Sequence, residues 1–98
     1  MKNDRITEEK IGKYTRMTAA ALQKISIAIP EQGSLRRNAD DFLRMATNYF
    51  NDSRHFYSKG DLVNAFACIN YAYGWIDAGA RLGFFNVGAD SVMFTLSV

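Results

Sequence analysis

His55 is the only histidine and Cys68 the only cysteine, so each is weighed first as a candidate for metal or nucleophilic chemistry. Asp52 stands three residues before His55 and Asn48 seven before, which places the three on one helix face. A metal centre needs three or four convergent ligands, commonly with more than one His or Cys. This trio falls short, and no metal is expected. A nucleophile needs a base and an orienting group within reach. Cys68 lies two helical turns beyond a Gly60-Asp61 turn and His55 about one turn before it, so they occupy different levels of a hairpin. The expectation is a surface histidine beside an acid, and a cysteine acting as a small apolar residue in a packed helix.

Asp77 and Arg81 stand at i,i+4 with the acid first, the favourable order for a helical ion pair. Asp77 also falls opposite Arg44 if a hairpin pivots at Gly60-Asp61. Two roles fit Trp75, Asp77, Arg44 and Arg81: a clamp that fixes hairpin register, or a ligand pocket with a partly desolvated acid beside Trp75. Lys10, Lys13, Arg16 and Lys24 form a mild basic stripe, offset in part by Glu8 and Glu9. No cofactor is expected. Gly74, Gly79 and Gly83 lie within or at the end of a helical pattern, not after a strand, so they do not form a phosphate loop.

The elements that would position these groups are helical. Ninety-eight residues make one domain. A composition 48% hydrophobic and 22% charged is that of a folded domain. A net charge of +2 does not point to nucleic acid or to a membrane surface. One cysteine excludes an internal disulfide and fits a reducing compartment. Met1-Lys2-Asn3-Asp4-Arg5 leads into a charged helix and not into an apolar signal core. The longest uncharged run, Leu62 to Ile76, is too short to span a membrane. The expected setting is cytoplasmic.

A first helix is expected over about residues 8–29, capped by Thr7 and ended by Pro30 and Gly33. Ile11, Tyr14, Thr18, Ala21 or Leu22, Ile25 and Ile29 mark its apolar face. A second helix, residues 35–58 with Ser34 as its cap, carries a heptad seam of Leu35, Ala39, Phe42, Ala46, Tyr49, Ser53 and Phe56. Leu43, Phe50 and Tyr57 make a second stripe beside it, so this helix should be sandwiched between two neighbours. Gly60 supplies a left-handed turn position and Asp61 caps a third helix over residues 62–82. So short a turn makes the two helices antiparallel neighbours. Leu62, Ala65, Ile69, Ala72, Ile76 and Gly79 continue the seam, and Gly74 is expected where a ring or backbone comes close. Residues 84–98 form an arm, with Val92, Phe94, Leu96 and Val98 alternating with Met93, Thr95 and Ser97 at period two, and a short helix capped by Asp90 or Ser91 as the competing reading.

Tyr57 through Gly83 resembles the archaeal family known as domain of unknown function 357. The matching residues are Gly60-Asp61, Ala65, Ile69, Tyr71-Ala72, Gly74-Trp75-Ile76-Asp77-Ala78-Gly79 and Arg81-Leu82-Gly83, with Asp52, Phe56 and Tyr57 upstream. The resemblance implies a compact helical hairpin or bundle and brings no catalytic residues. The hairpin is also similar to one tetratricopeptide unit, but nothing repeats.

The resulting expectation is an all-α protein: a three-helix bundle built on an antiparallel helical hairpin, with a short extended C-terminal arm. The functional expectation is a non-enzymatic interaction or assembly module forming a homodimer. Phe84, Phe85, Phe94 and Leu96 are its candidate interface residues, because a chain this small cannot cover so much apolar surface alone. A protein partner is the related possibility. A small-ligand or nucleotide-related accessory role near Trp75 and Asp77 is the alternative. A weak nucleic-acid contact through the first helix is a third reading.

Overall fold

The structure, a computed structural model, describes residues 5–86. It contains α1 (Glu8–Lys24), β1 (Ser26–Ile27), α2 (Ser34–Ser58), α3 (Leu62–Arg81) and β2 (Phe85–Asn86). The three-helix, all-α architecture is the expected one. The arm residues 87–98, with Phe94 and Leu96, lie outside the described residues.

Thr7 caps α1 as expected, its Oγ1 accepting the Lys10 N–H at 3.1 Å, with Glu8 and Glu9 at the positive end of the helix dipole. The helix ends at Lys24 and not near Ile29. Ile25 is already extended, with φ −66° and ψ 131°. The β-branched Ile25, Ile27 and Ile29 before Pro30 favour extended backbone, and pairing with Phe84–Asn86 fixes it. Ile25, Ile27 and Ile29 pack inward on Ala39, Phe84 and Phe85, while Ser26 and Ala28 face out. This is a period of two, the period of a strand. β1 pairs antiparallel with β2, Ser26 opposite Asn86 and Ile27 opposite Phe85. The Ala28 N–H extends the ladder to the Phe84 carbonyl at 2.8 Å.

Gly33, at φ 116°, occupies the cap position of α2, and Ser34 is already helical. At the far end Gly60 has φ 77°. The Asp61 N–H reaches the Phe56 carbonyl at 2.9 Å and the Gly60 N–H the Tyr57 carbonyl at 3.0 Å, the paired bonds of a Schellman stop. Asp61 then starts α3, its carboxylate accepting the Asn64 N–H at 3.1 Å. α3 ends on the same device. Gly83 has φ 80°, and the Phe84 and Gly83 N–H groups return to the Gly79 and Ala80 carbonyls.

Small residues set the hairpin spacing. Ala39, Ala46 and Ser53, seven apart on α2, are buried against an α3 face of Ala65, Ile69, Ala72, Ile76 and Gly79. The Ser53 hydroxyl donates to the Ala65 carbonyl at 2.7 Å, so the backbones are close there. Phe42 sits edge-on to Trp75 at 4.8 Å and to Phe84 at 5.1 Å, linking the hairpin to the clasp that β1 and β2 form.

The sandwiched helix is α3, not α2. α1 packs chiefly on α3 and touches α2 only slightly. α3 is the helix without charge from Leu62 to Ile76, and a helix apolar on several sides takes the central position. The second stripe of α2, with Leu43, Phe50 and Tyr57, borders a groove that α1 leaves open.

Candidate functional site

The residues singled out around Trp75 do not converge. Asp77 accepts a hydrogen bond from Arg81 Nε at 3.0 Å, one turn along α3. Arg44 pairs with Asp41 on its own helix. Each acid is answered within its helix, and hairpin register rests on the small-residue seam. Trp75 is half-buried against Phe42. The shallow hollow beside it is lined by Asn70, Tyr71, Gly74, Trp75 and Ala78, without Asp77 or Arg44.

His55 is exposed in the last turn of α2, its ring edge-on to Phe56 at 5.7 Å. Among the described residues no group of three or more His, Cys, Asp or Glu side chains could hold a metal ion. Burial pushes the Cys68 thiol above its ordinary value, and the charges of Asp52 and Asp61 add to that effect. Both effects disfavour the thiolate, the nucleophilic form. On the basic stripe, Lys10 Nζ lies 5.5 Å from the Phe66 ring centre, and Phe66 is edge-on to Tyr14. This lysine helps seat α1 on α3.

Phe84 and Phe85 are not surface residues. They are 7% and 5% exposed, buried within this chain against Ala39 and the three isoleucines after α1. The apolar surface that remains lies elsewhere. On the outer face of α3, Val63 and Tyr71 are 66% and 61% exposed. Ala67, Asn70 and Gly74 share that face. Tyr71 stacks on Tyr49 of α2 at 5.1 Å, which holds its ring upright at the border of the two helices. A β-carbon added at Gly74 would meet nothing within 4 Å, so the close approach expected at this glycine is not made inside the chain. The sequence signal for this face is the uncharged run itself, which gives solvent only Asn64 and Asn70 as polar side chains beside Tyr71 and Tyr73.

The second open surface is the groove between α1 and α2. One part, about 310 Å³, is lined by Ile11, Gly12, Thr15, Arg16, Ser53, Arg54 and Tyr57. A neighbouring part continues past Arg54 to Phe50, Leu43 and Leu22.

The model of the family described as Protein of unknown function (DUF357) matches residues 13–85. The chain is similar to the crystal structure of protein AF1782 from Archaeoglobus fulgidus, also assigned to DUF357. The identity is 28%, over 81% of this chain and 90% of that one, with a TM-score of 0.64. No curated protein matches the chain.

Proposed function

This chain belongs to the DUF357 family, and we propose that it acts as a non-enzymatic interaction module in which the outer face of α3 pairs with a second copy of the chain. One observation carries this reading: α3 is uncharged over Leu62–Ile76 yet exposes Val63, Ala67, Asn70, Tyr71 and Gly74 on one side. A helix with no charged side is ordinarily covered. A large apolar patch on a small protein marks an interaction surface. The open space above Gly74 lets another backbone come close. A two-fold axis lets one such face cover its own copy.

The non-enzymatic part is supported by what the ionisable groups do. Asp61 caps a helix, Asp77 holds Arg81, and the surroundings of Cys68 disfavour its thiolate. The proposed setting is the cytoplasm. No described helix is long and apolar enough to cross a membrane.

Solution mass by light scattering tests the pairing. The full chain is expected to be a dimer, and Val63→Glu or Tyr71→Glu a folded monomer with unchanged helical circular dichroism. A native chain that stays monomeric at high concentration sinks the homodimer. A dimer that survives both changes but is split by Phe94→Asp moves the interface off α3 and onto the arm.

A further inference from the structure

We propose that the groove between the first half of α1 and the last half of α2 binds a small organic anion, with an oxyanion head group on an apolar body. The proposal is independent of the α3 pairing. It begins with the arginines. The chain has Arg5, Arg16, Arg36, Arg37, Arg44, Arg54 and Arg81. Five of them have an acid three or four positions away, within reach on a helix surface: Glu8 or Glu9 for Arg5, Asp40 or Asp41 for the α2 group, and Asp77 for Arg81. Arg16 and Arg54 have none at those positions. The fold brings these two together on opposite walls of one groove, α1 supplying Arg16 and α2 supplying Arg54.

The groove itself is built for an apolar body. Its floor includes Ile11 and Ser53, each 1% exposed. The Ser53 hydroxyl is committed to the Ala65 carbonyl, so it adds no competing donor. Among the described residues no carboxylate lines the groove, while Thr15 and Tyr57 supply hydroxyls beside the two guanidinium groups. The volume of about 310 Å³ is at the small end of the range for ligand sites. Beyond Arg54 the groove continues past Leu22 and Phe50 to Gln23, Thr47 and Asn51, which leaves room for a longer, partly polar body.

Two details fit the arginines to this task. Arg16 folds back across Gly12, since a β-carbon there would stand 3.2 Å from Arg16 Nη1. The missing side chain leaves the guanidinium space along the groove wall instead of forcing it outward. Arg54 lies 6.0 Å from the Phe50 ring centre, which steadies the second guanidinium over the groove. Two planar forks on facing walls suit carboxylate or phosphate oxygens, which they grip with paired hydrogen bonds.

The test is an amide-resonance titration of the full chain with phenyl phosphate, beside inorganic phosphate and phenol. Phenyl phosphate is expected to give saturable shifts confined to residues 11–16 and 50–57. Either part of the probe alone is expected to bind at least about tenfold more weakly, because head and body each contribute. Arg16→Ala and Arg54→Ala are each expected to weaken phenyl phosphate by about tenfold or more. Arg37→Ala, outside the groove, is expected to change nothing. Unchanged helical spectra in each variant keep a folding defect out of the comparison. The proposal is overturned by no saturable shift at about 10 mM probe, well above the weakest useful affinity. Equal binding in the Arg16 and Arg54 variants overturns it as well.

Discussion

The Phe85 ring is pressed against Gly79. A β-carbon at Gly79 would fall within 3.0 Å of three carbons of the Phe85 ring, whereas one at Gly74 would meet nothing. Two glycines on one helix therefore carry opposite predictions. Gly79→Ala must displace a buried ring and is expected to cost about 1–3 kcal/mol by overpacking. Gly74→Ala removes backbone freedom from an open site and is expected to add about 0.5–1 kcal/mol. Urea denaturation of both, on the Val63→Glu background so that association does not enter, checks the pair. Equal effects would refute the assignment of the close approach to Gly79.

Thr18 is fully buried, and its Oγ1 has no hydrogen-bond partner among the described residues. A buried hydroxyl without a partner loses its water for no return. Thr18→Val keeps the shape and is expected to raise stability by about 1 kcal/mol. A fall in the denaturation midpoint would mean that the hydroxyl has a partner in solution.

Asp61 gives a pH signature. Hydrogen bonds from the Asn64 side chain, then from the Asn64 backbone, hold its carboxyl below the ordinary 3.8. The unfolded chain therefore takes up this proton first as pH falls. The cap's contribution is complete above about pH 4 and is lost as the native carboxyl itself titrates. Asp61→Ala is expected to lower the midpoint at pH 7 and to differ little from the parent at the acid end. A gap of constant size across that range would refute the cap's dependence on charge.

Cys68 should react slowly. Its surroundings, burial chiefly, disfavour the thiolate, which is the reactive form. Modification by a disulfide reagent at pH 7 is expected to be slower than for a free thiol, to accelerate with pH, and to reach the free rate in denaturant. A native rate above that of the free thiol would contradict this environment.

The hairpin was legible in the residues because its information is local. Ala39, Ala46 and Ser53 repeat at seven, and Gly60-Asp61 states both the stop and the cap. The end of α1 was not legible for a physical reason. Ile25 and Ile29 satisfy a helical spacing of four and, with Ile27 between them, a strand spacing of two. Only Phe84 to Asn86, far along the chain, decides between them by offering backbone partners. Gly74 and Gly79 look alike in sequence, and only the packing direction of α3 separates the open one from the crowded one. Similarly, the missing acids around Arg16 and Arg54 could be read from spacing, but their meeting across a groove required the placement of α1.

The clasp between Ser26–Ile27 and Phe85–Asn86 imposes an order of events on folding. The α2–α3 hairpin closes through a turn of a few residues, so its loop-closure cost is small. The clasp must bring together strands about sixty residues apart, a closure worth forming only after the intervening chain has condensed. The hairpin is thus the expected nucleus, with α1 and the clasp docking last. The same order reversed describes breathing. The Ala28 amide is expected to exchange with solvent well before that of Ile69, so the ends can loosen while the central hairpin persists.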